Sequence, residues 1–327
     1  MGVRILSTGS YVPKKVLTNF DITKIVDTSD EWIQSRTGII ERRIASNDET
    51  TSDMASIAVS NALNTCNIGA NDLDLIIVAT VTPDTLFPST AAHVQRKIGA
   101  NKAVCFDIQA ACSGMIYGLE IVVSMMKFNK RYKKAALIGA DKLSSITDWS
   151  DRSTCILFGD AAGAVILENI EDKDDVILSS ALYTDGNYAD LLLMPGGGTR
   201  IPLNESNIND KLNCIRMHGN KVFKLAVNSM FDSCIEVMKL TNMKVSDIDW
   251  LIPHQANIRI IDMLGLKLEF PKEKVAINIH KYGNTSAASI FLVLDEFVKS
   301  DKIKSNQKIL LTAFGGGMTW GSMIIEL

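Results

Sequence analysis

Three residues in this chain, Cys112, His254 and Asn284, combine side-chain type and setting in a way that could do chemistry. Together they supply a nucleophile and two hydrogen-bond donors, which suits acyl transfer through a thioester. Cys112 lies in Asp107-Ile-Gln-Ala-Ala-Cys-Ser-Gly-Met-Ile-Tyr117. Val104 to Ile108 reads as a short buried strand, and Met115 to Met126 repeats apolar residues at helical spacing, so the cysteine falls at the joint. Ala110, Ala111, Ser113 and Gly114 are small and let other backbone approach. The first turn of the helix presents unpaired N–H groups there, so the thiol is expected to ionise easily. The competing account of Cys112 is a small buried hydrophobe.

Of the four histidines, His93 and His218 lie in helical patterns and His280 in a strand-to-turn region. His254 differs: it follows the apolar Trp250-Leu-Ile-Pro253, at the C-terminal end of a strand, where open α/β sheets place their sites. Asn284, in Tyr282-Gly-Asn-Thr-Ser286, opens another helical pattern, and a plain helix-cap or turn asparagine competes with a chemical role. Trp32 and Arg36 stand one helical turn apart, as an amphipathic helix end or as an indole for an adenine and a guanidinium for a phosphate.

The elements that must position these residues alternate between strand and helix, the mark of an α/β protein. Val3 to Ser7 opens as a strand, Thr51 to Leu63 and Ser89 to Ile98 are helical, and Lys134 to Ala140 is a strand. Phe158 to Leu167 reads as a glycine turn entering a strand, Glu168 to Asp175 as a charged loop, and His218 to Leu240 as a long helix. The stretch from Met194 to about Asn213, rich in Gly, Asn and Asp, reads as a surface loop. The order then repeats. Asp247-Ile-Asp-Trp-Leu-Ile-Pro-His254 echoes Asp72-Leu-Asp-Leu-Ile-Ile-Val-Ala79 at an offset of 175. Thr285-Ser-Ala-Ala288 stands opposite Ala111-Cys-Ser-Gly114, and Lys308 to Ala313 opposite Lys134 to Gly139, both at 174. A duplicated half is expected, residues 1–172 carrying the cysteine and 173–327 the histidine and asparagine.

Composition narrows the remaining choices. A chain of 327 residues with 46% hydrophobic and 22% charged residues is globular, and a net charge of −3 gives no reason to expect nucleic acid. Six cysteines without a Cys-x-x-Cys pair argue for reduced thiols and against a zinc site or disulfide framework. The opening residues turn polar and reach Pro13 before any apolar run long enough for a secretory signal. No window of eighteen unbroken apolar residues occurs, so no membrane span is expected and the cytoplasm is the expected location.

Four segments carry a resemblance. Ala110-Ala-Cys-Ser-Gly114, Pro253-His-Gln-Ala-Asn257, Tyr282-Gly-Asn-Thr-Ser-Ala-Ala-Ser289 and Phe314-Gly-Gly-Gly-Met-Thr-Trp-Gly-Ser322 resemble the signature segments of β-ketoacyl-acyl carrier protein synthase III, in that family's order and spacing, from about residue 3 to the C-terminus. The resemblance implies a thiolase-like fold, duplicated βαβαβαββ halves in an αβαβα layering, and a homodimer. It implies a condensing enzyme that starts fatty-acid synthesis. Cys112 would be acylated by an acyl-CoA, commonly acetyl-CoA, with the N–H groups of Cys112 and Gly316 as the oxyanion hole. His254 and Asn284 would hold the malonyl-acyl carrier protein thioester during decarboxylation. Trp32 and Arg152 would stack the CoA adenine, Arg36 and Asn257 would meet its polar groups, and Phe87 would line the neighbouring subunit's acyl pocket. Lys224 and Arg259 would meet the acidic carrier protein, though solvated helix faces explain them as well. Acyl-CoA is then a substrate; no cofactor and no metal is expected.

The chain departs from the family pattern at Ser113, where many relatives have alanine, and in a loop around Leu203 to Leu212 that reads as long. A papain-like hydrolase also orders its residues Cys, His, Asn, and His254 follows Cys112 by 142 positions. The Cys-Gly-Ser-Cys-Trp neighbourhood of such proteases is missing, and the repeated α/β pattern speaks against them. Elongating synthases pair two histidines with the cysteine. Degradative thiolases need a second reactive cysteine near the C-terminus, whereas the last one here is Cys234.

Overall fold

The structure is a computed structural model that describes residues 2–170 and 175–327. Its strands are β1 (Gly2–Tyr11), β2 (Lys15–Thr18), β3 (Glu41–Ile44), β4 (Leu75–Ala79), β5 (Val104–Ile108), β6 (Lys134–Asp141), β7 (Ala161–Ile170), β8 (Ile177–Thr184), β9 (Leu192–Leu193), β10 (Arg216–Met217), β11 (Trp250–Pro253), β12 (Lys308–Gly315) and β13 (Thr319–Glu326). The helices are α1 (Asn19–Ile22), α2 (Asp30–Thr37), α3 (Thr51–Cys66), α4 (Thr90–Ile98), α5 (Gly114–Phe128), α6 (Gly219–Leu240), α7 (Ile258–Lys267), α8 (Ile279–Tyr282) and α9 (Ser289–Lys299).

Two sheets organise these elements, one ordered β1-β7-β6-β4-β5 and the other β11-β12-β13-β8. The second repeats the first with β8 in the place of β1, β13 of β7, β12 of β6 and β11 of β4; an isolated parallel bridge from Leu251 to Val275 stands where β5 would be. Their central strands are apolar at nearly every position because both faces are covered. Along β4, Leu75, Ile77 and Ala79 face the central core while Ile76 and Val78 face α3 and α4. Along β12, Ile309, Leu311 and Ala313 face the centre and Leu310 and Phe314 face α6 and α7. Helices α5 and α9 fill the centre, giving five layers in the order helix, sheet, helix, sheet, helix.

That placement explains one exceptional composition. The stretch Ala111–Phe128 is long and apolar enough to cross a membrane by those two criteria alone. Its Met115, Ile116, Leu119, Val122 and Met126 are instead packed between the two sheets.

The duplication is closer than the sequence offsets indicate. Single helical turns span Ala111–Ser113 and Ser286–Ala288, and α5 and α9 follow them directly, so the offset at the nucleophile turn is 175 and not 174. Ala111 and Ser286 then match, each with a left-handed φ (45° and 50°), as do Cys112 and Ala287. Strand β7 runs on to Ile170, so the charged stretch is strand at its start; the rest of that expected loop up to Asp175, with the boundary after residue 172, falls on 171–174, outside the described residues, and Asp175 accepts the Val3 N–H at 3.1 Å. The Met194 to Asn213 segment is closed on itself by Gly196 N–H donating to the Leu212 carbonyl at 2.7 Å and is anchored to the body by Lys211 Nζ on the Asp148 carboxylate at 2.7 Å.

Candidate active site

Cys112 sits at the wall of a cavity of about 440 Å³ also lined by Val81, Phe158, Leu192, Ser286 and Gly316. Its turn is held from three sides. Ala111 takes a left-handed φ of 45° without being glycine, a conformation that costs about 1–2 kcal/mol and needs surrounding structure to hold it. The Ser113 hydroxyl, fully buried, donates to the Thr319 carbonyl at 3.0 Å, and the Thr319 hydroxyl donates to the Ala110 carbonyl at 2.8 Å. The Ser113 hydroxyl therefore fastens the turn to β13. The end of β12 presses on the same turn: a Cβ at Gly315 would lie 2.6 Å from the Cys112 nitrogen, so only glycine lets these backbones meet. That contact brings the Gly316 loop against Ala111.

His254 directly follows β11; its N–H donates to the Thr312 carbonyl at 2.8 Å, and its side chain is buried. Its Nδ1 meets Ser289 Oγ at 2.7 Å. Burial pushes the imidazole down to about 3, so it is neutral at physiological pH. The Gln255 N–H donates to the same Ser289 oxygen at 3.4 Å; a Ser289 hydroxyl that turns its own proton to Nδ1 puts the ring proton on Nε2.

Asn284 does not cap α9, which begins five residues later. Its backbone bridges to the 157–159 segment, N–H to the Leu157 carbonyl at 2.8 Å and carbonyl to Gly159 N–H at 3.0 Å. Its Oδ1 accepts the Ser286 N–H at 2.9 Å, which fixes the amide orientation and leaves Nδ2 as a free donor. One short segment thus reaches every member: Asn284 itself, Ser286 beside Cys112, and Ser289 on His254.

The electrostatics of Cys112 correct one expectation. Burial pushes the thiol up to about 12; the nearby Ser286 hydroxyl opposes the rise and the Asp141 carboxylate adds to it. The resting thiol is protonated, because the low-dielectric cavity outweighs the favourable helix start. Asp141 ends β6, one residue beyond the strand read from the sequence, and its own carboxyl is raised by burial. Asp141 did not stand out in the sequence. Ser286 and Ser289 lay inside a signature segment without a role.

Neither His254 nor Asn284 lines this cavity with Cys112, and the remaining candidates lie outside its wall as well. On α2, the Arg36 guanidinium is 5.9 Å from the Trp32 ring centre, and Arg152 stacks closer at 4.2 Å. Asn257 caps α7, its Oδ1 accepting the Arg259 N–H at 2.9 Å. Arg259 lies over the Phe223 ring at 5.6 Å, next to exposed Lys224 on the neighbouring α6. Phe87 is 86% exposed on its loop and does not line the chain's own cavity. Among the described residues all six cysteines are free and no cluster of metal-binding side chains occurs.

Comparison with known proteins identifies the family. Residues 106–186 match the model of 3-oxoacyl-[acyl-carrier-protein] synthase III, and 238–327 match that of its C-terminal part. The chain is 50% identical to the β-ketoacyl-[acyl-carrier-protein] synthase III of Aquifex aeolicus, with all of both chains covered. It is equally identical to that of Wolbachia pipientis, with 98% of each covered. The crystal structure of the Aquifex aeolicus enzyme superposes with a TM-score of 0.92 over the whole of both chains. With the duplicated thiolase-like layers and the cysteine turn they enclose, these matches mean that the chain belongs to the β-ketoacyl-acyl carrier protein synthase III family.

Proposed function

We propose that Cys112, His254 and Asn284 carry out the family's priming condensation, which joins an acyl-CoA to malonyl-acyl carrier protein. The observation that carries this reading is the segment Asn284 to Ser289, which is tied by side chain or backbone to all three residues. In the first half-reaction the Cys112 sulfur attacks the acyl-CoA thioester, most simply acetyl-CoA. A C–S bond forms to the enzyme, the bond to CoA breaks, and CoA leaves as a thiol. The Cys112 and Gly316 N–H groups stabilise the oxygen of the tetrahedral intermediate, a role for which rigid backbone donors are suited.

In the second half-reaction malonyl-acyl carrier protein loses carbon dioxide, and the electron pair of the broken C–C bond passes into the thioester as an enolate. A neutral His254 with its proton on Nε2 and an Asn284 with Nδ2 free are two donors for the enolate oxygen. Because His254 donates without gaining or losing a proton, its low pKa is an advantage here. The enolate carbon attacks the acyl-Cys112 carbonyl, giving 3-oxoacyl-acyl carrier protein, and the Cys112 sulfur departs. No cofactor enters these steps.

Trp32 with Arg152 would receive the adenine, and Arg36 and Asn257 the polar parts of CoA. Lys224 and Arg259 offer exposed positive charge to an acidic carrier protein. Phe87, exposed in one chain, would enter a partner's acyl pocket in a homodimer, and the reaction would take place in the cytoplasm. The test is decarboxylation of malonyl-acyl carrier protein by His254→Ala and Asn284→Ala. Each should lose about 100-fold or more in rate, the scale of one lost oxyanion donor. Unchanged decarboxylation in either variant would remove that residue from the reading.

A further inference from the structure

Asp141 is completely buried at the end of β6, beside the helical turn that carries Ser286. Its Oδ1 accepts from Thr80 Oγ1 at 3.0 Å, Val81 N–H at 2.8 Å, Thr82 N–H at 3.2 Å and Thr82 Oγ1 at 3.0 Å. Its other oxygen, Oδ2, is buried and has no hydrogen-bond partner among the described residues. An orphaned carboxylate oxygen in a dry site is costly and calls for an explanation. The nearby Ser286 hydroxyl favours ionisation of both Asp141 and Cys112, without closing a hydrogen bond on Oδ2 in this resting geometry. Ser286 is itself only 2% exposed and is held at a left-handed φ of 50°, a strained conformation for serine.

We propose that Ser286 and Asp141 form a proton relay for Cys112, with Ser286 Oγ as the bridge and the unpartnered Asp141 Oδ2 as the acceptor. The proposal rests on Cys112 being the nucleophile. As the sulfur attacks the thioester, the Cys112 S–H bond breaks and its proton goes to Ser286 Oγ. The proton originally on that oxygen goes to Asp141 Oδ2. One negative charge moves from Asp141 to the sulfur, and no proton crosses to bulk water. The relay starts from an ionised Asp141, which the donors on Oδ1 favour and burial opposes, so the buried cluster carries a single negative charge before and after, which avoids the cost of two. When CoA leaves, its sulfur takes up a proton by the reverse path.

The other groups around the cluster cannot substitute. His254, just past β11, is neutral and its Nδ1 is occupied by Ser289. Asn284 and the 315–319 loop bring no titratable side chain. Lys142, next after Asp141, turns away to the carbonyls of Ser46 and Glu49. Asp160 is engaged by Ala45 and Ser144.

The test is the pH dependence of single-turnover acetylation of Cys112 by acetyl-CoA, read by intact mass in the unaltered protein, Asp141→Asn and Ser286→Ala. The relay predicts a rate in the unaltered protein that is nearly flat from about pH 6 to about pH 8, because the proton stays in the site. Both variants should be about 100-fold slower near neutrality and should gain about tenfold per pH unit as the thiol ionises to solvent instead. If Asp141 were only a charge beside the thiol, its removal would ease ionisation, and Asp141→Asn would acetylate faster. A faster Asp141→Asn, or variants sharing the flat profile, would overturn the relay. Should Asp141→Asn fail to melt cooperatively, Ser286→Ala decides alone, since it keeps the backbone bond to Asn284. Absence of acetylation in the unaltered protein would overturn the nucleophile assignment instead.

Discussion

Gly315→Ala should disable the site without touching any of its side chains. The new Cβ would lie 2.6 Å from the Cys112 nitrogen, 3.2 Å from the Ala111 Cβ and 3.2 Å from the Ser113 nitrogen, where ordinary contact begins at 3.4 Å. The atoms it meets are backbone and a methyl in a turn already strained at Ala111 and tied to β13, so nothing flexible can give way. The turn and the β12 end must therefore separate by close to an ångström. The two proposed oxyanion donors sit on opposite sides of that gap, so the separation pulls them apart. Losing one such donor costs about 100-fold to 1000-fold in rate, and overpacking costs about 1–3 kcal/mol in stability. The assay is single-turnover transfer of acetyl from acetyl-CoA to Cys112, with a melting curve to confirm a folded protein. Gly316→Ala is the comparison: its Cβ would meet the Leu192 carbonyl at 3.1 Å and should be milder. Acetylation by Gly315→Ala within threefold of the unaltered rate, at an unchanged melting temperature, would refute the argument that this glycine sets the oxyanion geometry.

Other consequences can be measured on the same protein. Ser289→Ala removes the hydroxyl that fixes the His254 tautomer, so decarboxylation of malonyl-acyl carrier protein should fall by about tenfold or more, with little change in its KM. Stability should weaken as pH falls: the folded His254 resists protonation down to about 3 while the unfolded one binds a proton below its ordinary 6.5. Stability contributed above 6.5 is then lost between those values, at up to about 1.4 kcal/mol per pH unit, and denaturant melts across that range in the unaltered protein and His254→Gln would show it. Arg259→Glu together with Lys224→Glu should raise the KM for malonyl-acyl carrier protein about tenfold and flatten its dependence on salt.

Much of this was legible in the sequence because buried parallel strands leave a plain signal. The apolar runs at β4, β6, β11 and β12 carry it, and their nearly constant spacing exposed the duplication. The turn at Cys112 was legible through its small neighbours. What periodicity could not deliver was the one-residue difference in offset, because Thr285 and Ser286 are interchangeable by type and only the left-handed φ at Ser286 sets the register. Strand β5 has no true counterpart, since a single bridge at Val275 replaces it. The ease of ionisation expected for Cys112 failed because a helix start is a local feature, whereas the low-dielectric cavity is assembled from segments as distant as Val81, Leu192 and Ser286. Asp141 was invisible for the same reason: an aspartate after an apolar strand reads as a strand end, and only the fold places its free oxygen beside Ser286.

The most direct test of the central claim is the intact mass of the protein after mixing with acetyl-CoA, alongside Cys112→Ala. The assignment of Cys112 as the acyl carrier predicts a single acetyl adduct on the unaltered protein, discharged by malonyl-acyl carrier protein, and none on the variant. An adduct that persists in Cys112→Ala, or no adduct from any acyl-CoA on the unaltered protein, would contradict it.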